Sequence, residues 1–373
     1  MRTCSVFAWG RGFVNRVHLP NVSAKRIAVS LGTVLIALFF ADCSCGAGTV
    51  GGSGEDSEFY TQFRYSPAVG LGYQEGLTRR DPSDVIKAGP SYYLWYTKTS
   101  RGYSGYDATI WYANSPDGRR WTEKGEAIKR GEPGTWDAQS VFTPNILVAD
   151  GRYYLFYTAI SKPKDARFTT AIGVAVSDSP DGPWRKSEGN PVLMTGQGRW
   201  VGDSGTKAAP DAAWDSHVVD DACLIVRADK YWLYYKGRQM GLSPAQTKMG
   251  LAIADSPTGP YVKHKANPLI RSGHEVLVWP YRQGVLALIG PTGPRGNTIQ
   301  YAPDGLHFSV KSGIENPPKA PGAYRPDAFA NTTSGQGITW GISMGTKNRR
   351  PYLVRFDCDL SVKRVKAGEP KKE

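Results

Sequence analysis

Histidine, methionine and cysteine are scarce, five of each in 373 residues. Cys4, Cys43 and Cys45 fall in the first 45 residues, so the body of the chain holds only Cys223 and Cys358. One pair in a large domain is no disulfide scaffold, and no C-x-x-C or zinc spacing exists. Both thiols are expected in the core, and no metal ligand set is identified. Acid groups are the minority: 33 Asp+Glu against 46 Lys+Arg, a formal net charge of +13. No stretch shows a helical apolar period, which argues against helical and doubly wound architectures. The chain also lacks dense basic runs interleaved with aromatics, apart from the tail 363–373, and no nucleic-acid partner is expected. An acidic or sulfated polysaccharide environment accounts for a basic surface equally well.

Long hydrophobic runs are limited to residues 27–41, fifteen residues behind a basic segment. That is short for a spanning helix and right for the apolar core of an export signal. Small residues follow from Ser44 to Gly48, so cleavage is expected near Ala47; an uncleaved anchor is the alternative. Residues 1–47 then form the signal, 48–58 a Gly/Ser-rich linker, 59–362 the body and 363–373 a basic tail. The expected location is exported, periplasmic or secreted, with no membrane contact beyond the signal.

Turn formers and aromatics are abundant: 43 Gly, 26 Pro, 20 Tyr and 11 Trp. They recur in order, as a polar entry, a short apolar strand, an aromatic strand, and a third strand ending in a tight turn. The strands fall at 84–87, 92–97 and 109–113, then 145–148, 153–158 and 171–177, then 223–227, 231–236 and 248–254. A weaker fourth unit has 276–279, 285–289 and 298–301, and a fifth has 327–330, 338–343 and 352–356. The turns read Ser115-Pro116-Asp117-Gly118, Ser179-Pro180-Asp181-Gly182, Ser256-Pro257-Thr258-Gly259 and Ala302-Pro303-Asp304-Gly305. Pro at the second position and Gly at the fourth is type I turn chemistry, joining antiparallel third and fourth strands. Units of this kind predict an all-β, five-bladed β-propeller whose aromatics pack between blades; the fifth lacks the turn.

In a propeller the innermost strands converge on the axis, so their entry residues share one pocket. The entries are Asp81 with Arg80 before it, Thr143, Asp220 or Asp221, His274-Glu275, and Arg325 with Asp327. Aligning Val85-Ile86 with Leu224-Ile225 sets Asp220 opposite Asp81, with Asp221 capping the turn. Carboxylates converging on a pocket suit glycoside hydrolysis, which needs a base for water and an acid for the leaving oxygen. On chemistry alone the acid is either His274 or Glu275.

Gly70-Leu71-Gly72-Tyr73-Gln74-Glu75-Gly76, followed by Arg79-Arg80-Asp81-Pro82-Ser83-Asp84-Val85-Ile86, resembles glycoside hydrolase family 117. The likeness continues through Asp215-Ser216-His217, Asp220-Asp221 and Gly273-His274-Glu275-Val276-Leu277-Val278-Trp279-Pro280. That family is similar to the family 43 arabinosidases and xylosidases in its propeller. The resemblance implies an exo-acting, inverting α-1,3-(3,6-anhydro)-L-galactosidase cutting agar-derived oligosaccharides. It implies Asp81 as base, His274 as acid, and Asp220 or Asp221 as a third carboxylate raising the acid's pKa. Trp136, Thr143, His217, Arg238, Trp279, Arg325, Asp327 and Arg80 are the candidate sugar contacts. No cofactor is required, although a structural divalent cation could sit in the central channel. Family 117 members dimerise through an N-terminal helical segment, and no helical period precedes Asp81, so the oligomeric state stays open. The alternatives are a family 43-like arabinosidase or xylosidase acting through Glu275, and a non-catalytic carbohydrate-binding propeller.

Overall fold

The run Tyr92-Tyr93-Leu94-Trp95-Tyr96 shows how the molecule is built. Side chains alternate across a strand. Tyr93 and Trp95 enter one buried cluster with Ile146, Leu155 and Tyr157, while Leu94 and Tyr96 enter another with Trp340, Ile342 and Leu353. The middle strands of the next two units do the same: Tyr154 and Phe156 face Leu233 and Tyr235, and Trp232 and Tyr234 face Leu286 and Leu288. Each aromatic strand is therefore buried on both faces. Burying each large apolar side chain contributes about 1.5–3 kcal/mol before conformational entropy is charged.

The computed structural model describes residues 61–101, 106–163, 168–202, 207–271, 274, 276–326 and 337–360. The export signal, linker and tail expected from sequence, together with Glu275 and Asp327, lie outside these residues. Among the described residues the structure is strand and turn, with one 3-10 turn at Pro244–Gln246. The strands form a five-bladed propeller. Blade one has an interrupted inner strand, Thr78–Arg80 and Ile86–Ala88, then Ser91–Thr99, Thr109–Ser115 and Thr122–Ile128. Blade two has Ser140–Ala149, Arg152–Ile160, Ala171–Ser177 and Arg185–Lys186. Blade three has Val218–Arg227, Lys230–Arg238, Lys248–Ala254 and Val262–Lys263, and blade four Val276–Tyr281, Gly284–Ile289, Thr298–Ala302 and Ser309–Gly313.

Blade five explains why its sequence lacks the turn. Its inner strand is Gly322–Ala323, followed by Trp340–Lys347 and Arg350–Asp357, and its outer strand is Arg64–Pro67 from the start of the domain. Tyr65 pairs with Phe356 in that ladder. The ring is closed by the first described strand pairing with the last, so no turn to a fourth strand is needed. The strand expected at 327–330 lies outside the described residues. A second tie runs along the inner edge: Val85 N–H donates to Ala323 O at 2.8 Å and Arg325 N–H to Val85 O at 3.1 Å.

The repeated turns form as their residues dictate. Gly182, Gly259 and Gly305 donate their N–H groups to the carbonyls of Ser179, Ser256 and Ala302 at 3.0, 3.0 and 3.2 Å. These glycines have φ of 90°, 86° and 76°, a region costly for any residue with a Cβ. In blade one the Ser115 hydroxyl accepts from Gly118 N–H instead, at 2.8 Å. Asp117 Oδ1 accepts the N–H groups of Arg120 and Arg119 at 2.8 and 2.9 Å, which holds its carboxyl down at about 2. Cys223 and Cys358 are free and buried, as expected, and burial pushes both thiols up to about 12.

Candidate active site

Four inner strands carry the same local device at their axial end. Asp81, Thr143, Asp221 and Ala320 have φ of 47°, 45°, 50° and 42°. Left-handed backbone at a residue with a Cβ is uncommon and stores local strain, and such positions cluster at functional sites. In blades two and three the residue just before pairs with the middle strand, Phe142 with Thr158 and Asp220 with Lys236, and pairing resumes at Asn145 and Cys223. In blade one Arg80 pairs with Thr97, and Ser83 N–H donates to Trp95 O at 2.8 Å. Blade five resumes at Gly322. The structural counterpart of Asp81 is thus Asp221, and that of Asp220 is Arg80. The alignment through Val85-Ile86 is one residue out because blade one carries an extra residue between Ser83 and Ile86. The blade-five counterpart is Ala320, neither Arg325 nor Asp327. The bulge rotates its residue toward the axis, so Asp81, Thr143, Asp221 and Ala320 all line one axial cavity of about 40 Å³.

Asp220 faces a different space. It lines a second, larger cavity of about 140 Å³ with Tyr106, Phe168, Lys236, Arg238 and His274. The two cavities adjoin through Thr143, which lies 2.8 Å from both Asp220 Oδ1 and the Thr158 hydroxyl. Having one proton, Thr143 donates it to the carboxylate and accepts from Thr158. Asp221 N–H also donates to Asp220 Oδ1, at 2.8 Å. The Lys236 ammonium contacts Asp221 Oδ2 and lies 3.4 Å from Asp220 Oδ2. Burial would raise the Asp220 carboxyl, but the Lys236 charge and the hydrogen bonds donated by Thr143 and Asp221 N–H outweigh it and hold it below its usual value. Asp221 is ion-paired with Lys236 and lines the axial cavity. Asp81 accepts from Arg80 Nε at 2.5 Å and is 7% exposed.

The other candidates separate. His217 sits behind the larger cavity, its ring 4.8 Å from that of Phe168. Arg238 lines the cavity directly. Trp136 stacks on Tyr157 at 5.6 Å and packs over Gly173 as inter-blade filling. Trp279 is 2% exposed inside the core cluster shared by blades three, four and five, away from both cavities. Arg325 is buried too: its Nη1 donates to Asp84 Oδ2 at 2.7 Å and to Leu224 O at 3.0 Å. Their place in the core is a tertiary fact that residue type does not disclose. Arg325 reaches blades one and three from blade five, and its guanidinium already takes the carboxylate and carbonyl that a central cation would use. These donors do not fit a divalent cation at that point. No group of three His, Cys, Asp or Glu side chains suited to a metal occurs among the described residues.

Lys236, Tyr106, Phe168 and Thr158 were not anticipated. Lys236 had a signal: it follows the aromatic run Tyr231-Trp232-Leu233-Tyr234-Tyr235 and stands where the first two blades have Thr97 and Thr158. Tyr106 and Phe168 lie on loops with no repeat to align them. Burial raises the Tyr106 hydroxyl, and the Arg80 guanidinium lies 5.6 Å from its ring.

A five-bladed propeller with carboxylates and a histidine around its axis is the framework of the propeller glycoside hydrolases. A model described as glycosyl hydrolases family 43 matches residues 77–200, which hold the strands of blades one and two. Among solved structures, Zg3597, a family 117 glycoside hydrolase produced by the marine bacterium Zobellia galactanivorans, is 35% identical. That similarity covers 82% of this chain and 93% of the other, with a TM-score of 0.71. A structure titled "Glycoside hydrolase" shares the fold at 13% identity and TM-score 0.59, covering 85% of this chain and 96% of the other. No curated protein matches the sequence. The chain belongs to glycoside hydrolase family 117, and its substrate is a carbohydrate.

Proposed function

We propose that this chain is an exported, exo-acting, inverting glycosidase that releases 3,6-anhydro-L-galactose from the non-reducing end of agar-derived oligosaccharides. Asp81 takes the proton from the attacking water, His274 protonates the glycosidic oxygen, and Asp220 is the third carboxylate, lining the same cavity as His274. The observation carrying this reading is that His274 and Asp220 line one cavity while Asp81 opens into the adjoining one. An inverting enzyme needs its base set back from the acid, so that water fits between base and sugar. Arg80 holds the Asp81 carboxylate in place. A histidine serves as acid only when protonated, a form that a neighbouring carboxylate favours in general.

The test is turnover of neoagarobiose by the mature protein, with the first anomer followed by NMR. Asp81→Asn is expected to abolish release while leaving the thermal unfolding curve unchanged. Undiminished release by that variant refutes the assignment. The match of residues 77–200 to family 43 supports a second reading, an arabinosidase or xylosidase with Glu275 as acid. Aryl arabinosides and xylosides in the same panel separate the two.

A further inference from the structure

Among the described residues, one cation that lines the larger cavity has no anion within ion-pair distance. Lys236 is committed to Asp220 and Asp221, and Arg80 to Asp81. Arg238 also lines the wall, yet no carboxylate lies within ion-pair distance of it among the described residues. Its Nε is buried and without a hydrogen-bond partner. Burial pushes this guanidinium below its usual value, because water only partly solvates it there. An unpaired, half-buried guanidinium is costly, and its fork of N–H donors matches a planar or tetrahedral oxyanion. The nearest ionised group, Asp220, already accepts from Thr143 and Asp221 N–H and faces Lys236. Arg238 thus retains donors for something that enters the cavity.

We infer that the sugar bound beside His274 carries an anionic substituent, a sulfate ester or a carboxylate, and that Arg238 recognises it. This rests on the proposed function, in which the leaving sugar occupies the cavity next to the acid. Phe168 covers the same cavity with an apolar ring, which lowers the local dielectric and strengthens a guanidinium–oxyanion contact. A neutral hydroxyl would satisfy one N–H and leave the charge unpaired; an oxyanion satisfies both. The excess of basic over acidic residues along the chain adds long-range attraction for an acidic polysaccharide.

Calorimetric titration of the Asp81→Asn protein with matched disaccharides, neutral, sulfated and uronate-containing, measures the subsite without turnover. One anionic ligand is expected to bind roughly ten- to hundredfold tighter than its neutral counterpart, the effect of a charged hydrogen bond. Whichever of the two does so identifies the substituent. Adding Arg238→Gln is expected to erase that ratio, whereas Lys265→Gln, which removes an exposed charge on blade three, keeps it. Equal binding of neutral and anionic ligands, or a preference that survives Arg238→Gln, overturns the inference. Tight binding of an anionic disaccharide that the wild-type enzyme never cleaves would overturn the proposed reaction and leave the anion subsite standing.

Discussion

Replacing Arg325 by methionine should unfold this protein far more easily than its place outside both cavities would suggest. The guanidinium is 3% exposed and the Asp84 carboxylate fully buried, so the pair has no solvent to fall back on. Arg325 Nη1 donates to Asp84 at 2.7 Å and to Leu224 O at 3.0 Å, and Asp84 also accepts Ala323 N–H at 3.1 Å. One side chain therefore joins blades five, one and three. Methionine keeps much of the stem volume and removes the charge and its donors. Asp84 is then left buried and uncompensated, which costs about 3–5 kcal/mol. Removing both charges, as in Asp84→Leu with Arg325→Met, should recover most of that loss, since well-packed apolar replacements of buried pairs are often neutral. Urea unfolding followed by tryptophan fluorescence at fixed pH measures all three variants. A single variant destabilised by less than about 1 kcal/mol would refute the reasoning, as would a double variant no more stable than the single. Asp84 and Asp81 lie in the same interruption of the blade-one inner strand, between Arg80 and Ile86, so the single variant should also lose activity at temperatures where it remains folded.

Four further outcomes are expected. Lys236→Met removes the main opponent of burial at Asp220, so that carboxyl should titrate higher. Because the folded-state pKa of Asp220 is depressed, its stabilising effect is present above its unfolded value and is lost as pH falls through the folded one; the variant should lose activity and stability at higher pH than wild type, and coincident acid limbs would count against this. Gly322→Ala would place a Cβ 1.7 Å from Ser83 O, backbone against backbone, and should cost about 1–3 kcal/mol or more in thermal unfolding; a neutral effect would show that the blade one–five seam yields. His274→Gln should abolish turnover and Glu275→Gln largely retain it, with the reverse pattern favouring the arabinosidase or xylosidase reading. Deleting the chain through Pro67 should leave blade five with an open edge and lower the melting temperature, since Arg64–Pro67 pairs along Val354 to Asp357.

Much of the propeller was legible along the chain. Period-two aromatic runs assign each middle strand to two blade interfaces, and the Ser-Pro-Asp-Gly turns mark where third strands end. Both signals are local, set by side-chain alternation and by the φ demands of proline and glycine. The strand-entry position of Asp81, marked by the proline after it, was legible for the same reason.

Tertiary structure decided the rest. One extra residue in blade one shifts the frame, so the left-handed position of Asp81 is matched by Thr143, Asp221 and Ala320, while Asp220 turns into the neighbouring cavity. An inner strand is positioned by its ladder to the middle strand, and a bulge changes facing without leaving a periodic mark. Arg325 and Trp279 look like sugar contacts by residue type, yet long-range packing buries both. Ring closure by Arg64–Pro67 and the place of Arg238 beside Asp220, Tyr106 and His274 depend on segments far apart in sequence meeting in space. Composition and spacing determine which strands form; only the assembled ring determines which polar groups face one another and which remain available to a substrate.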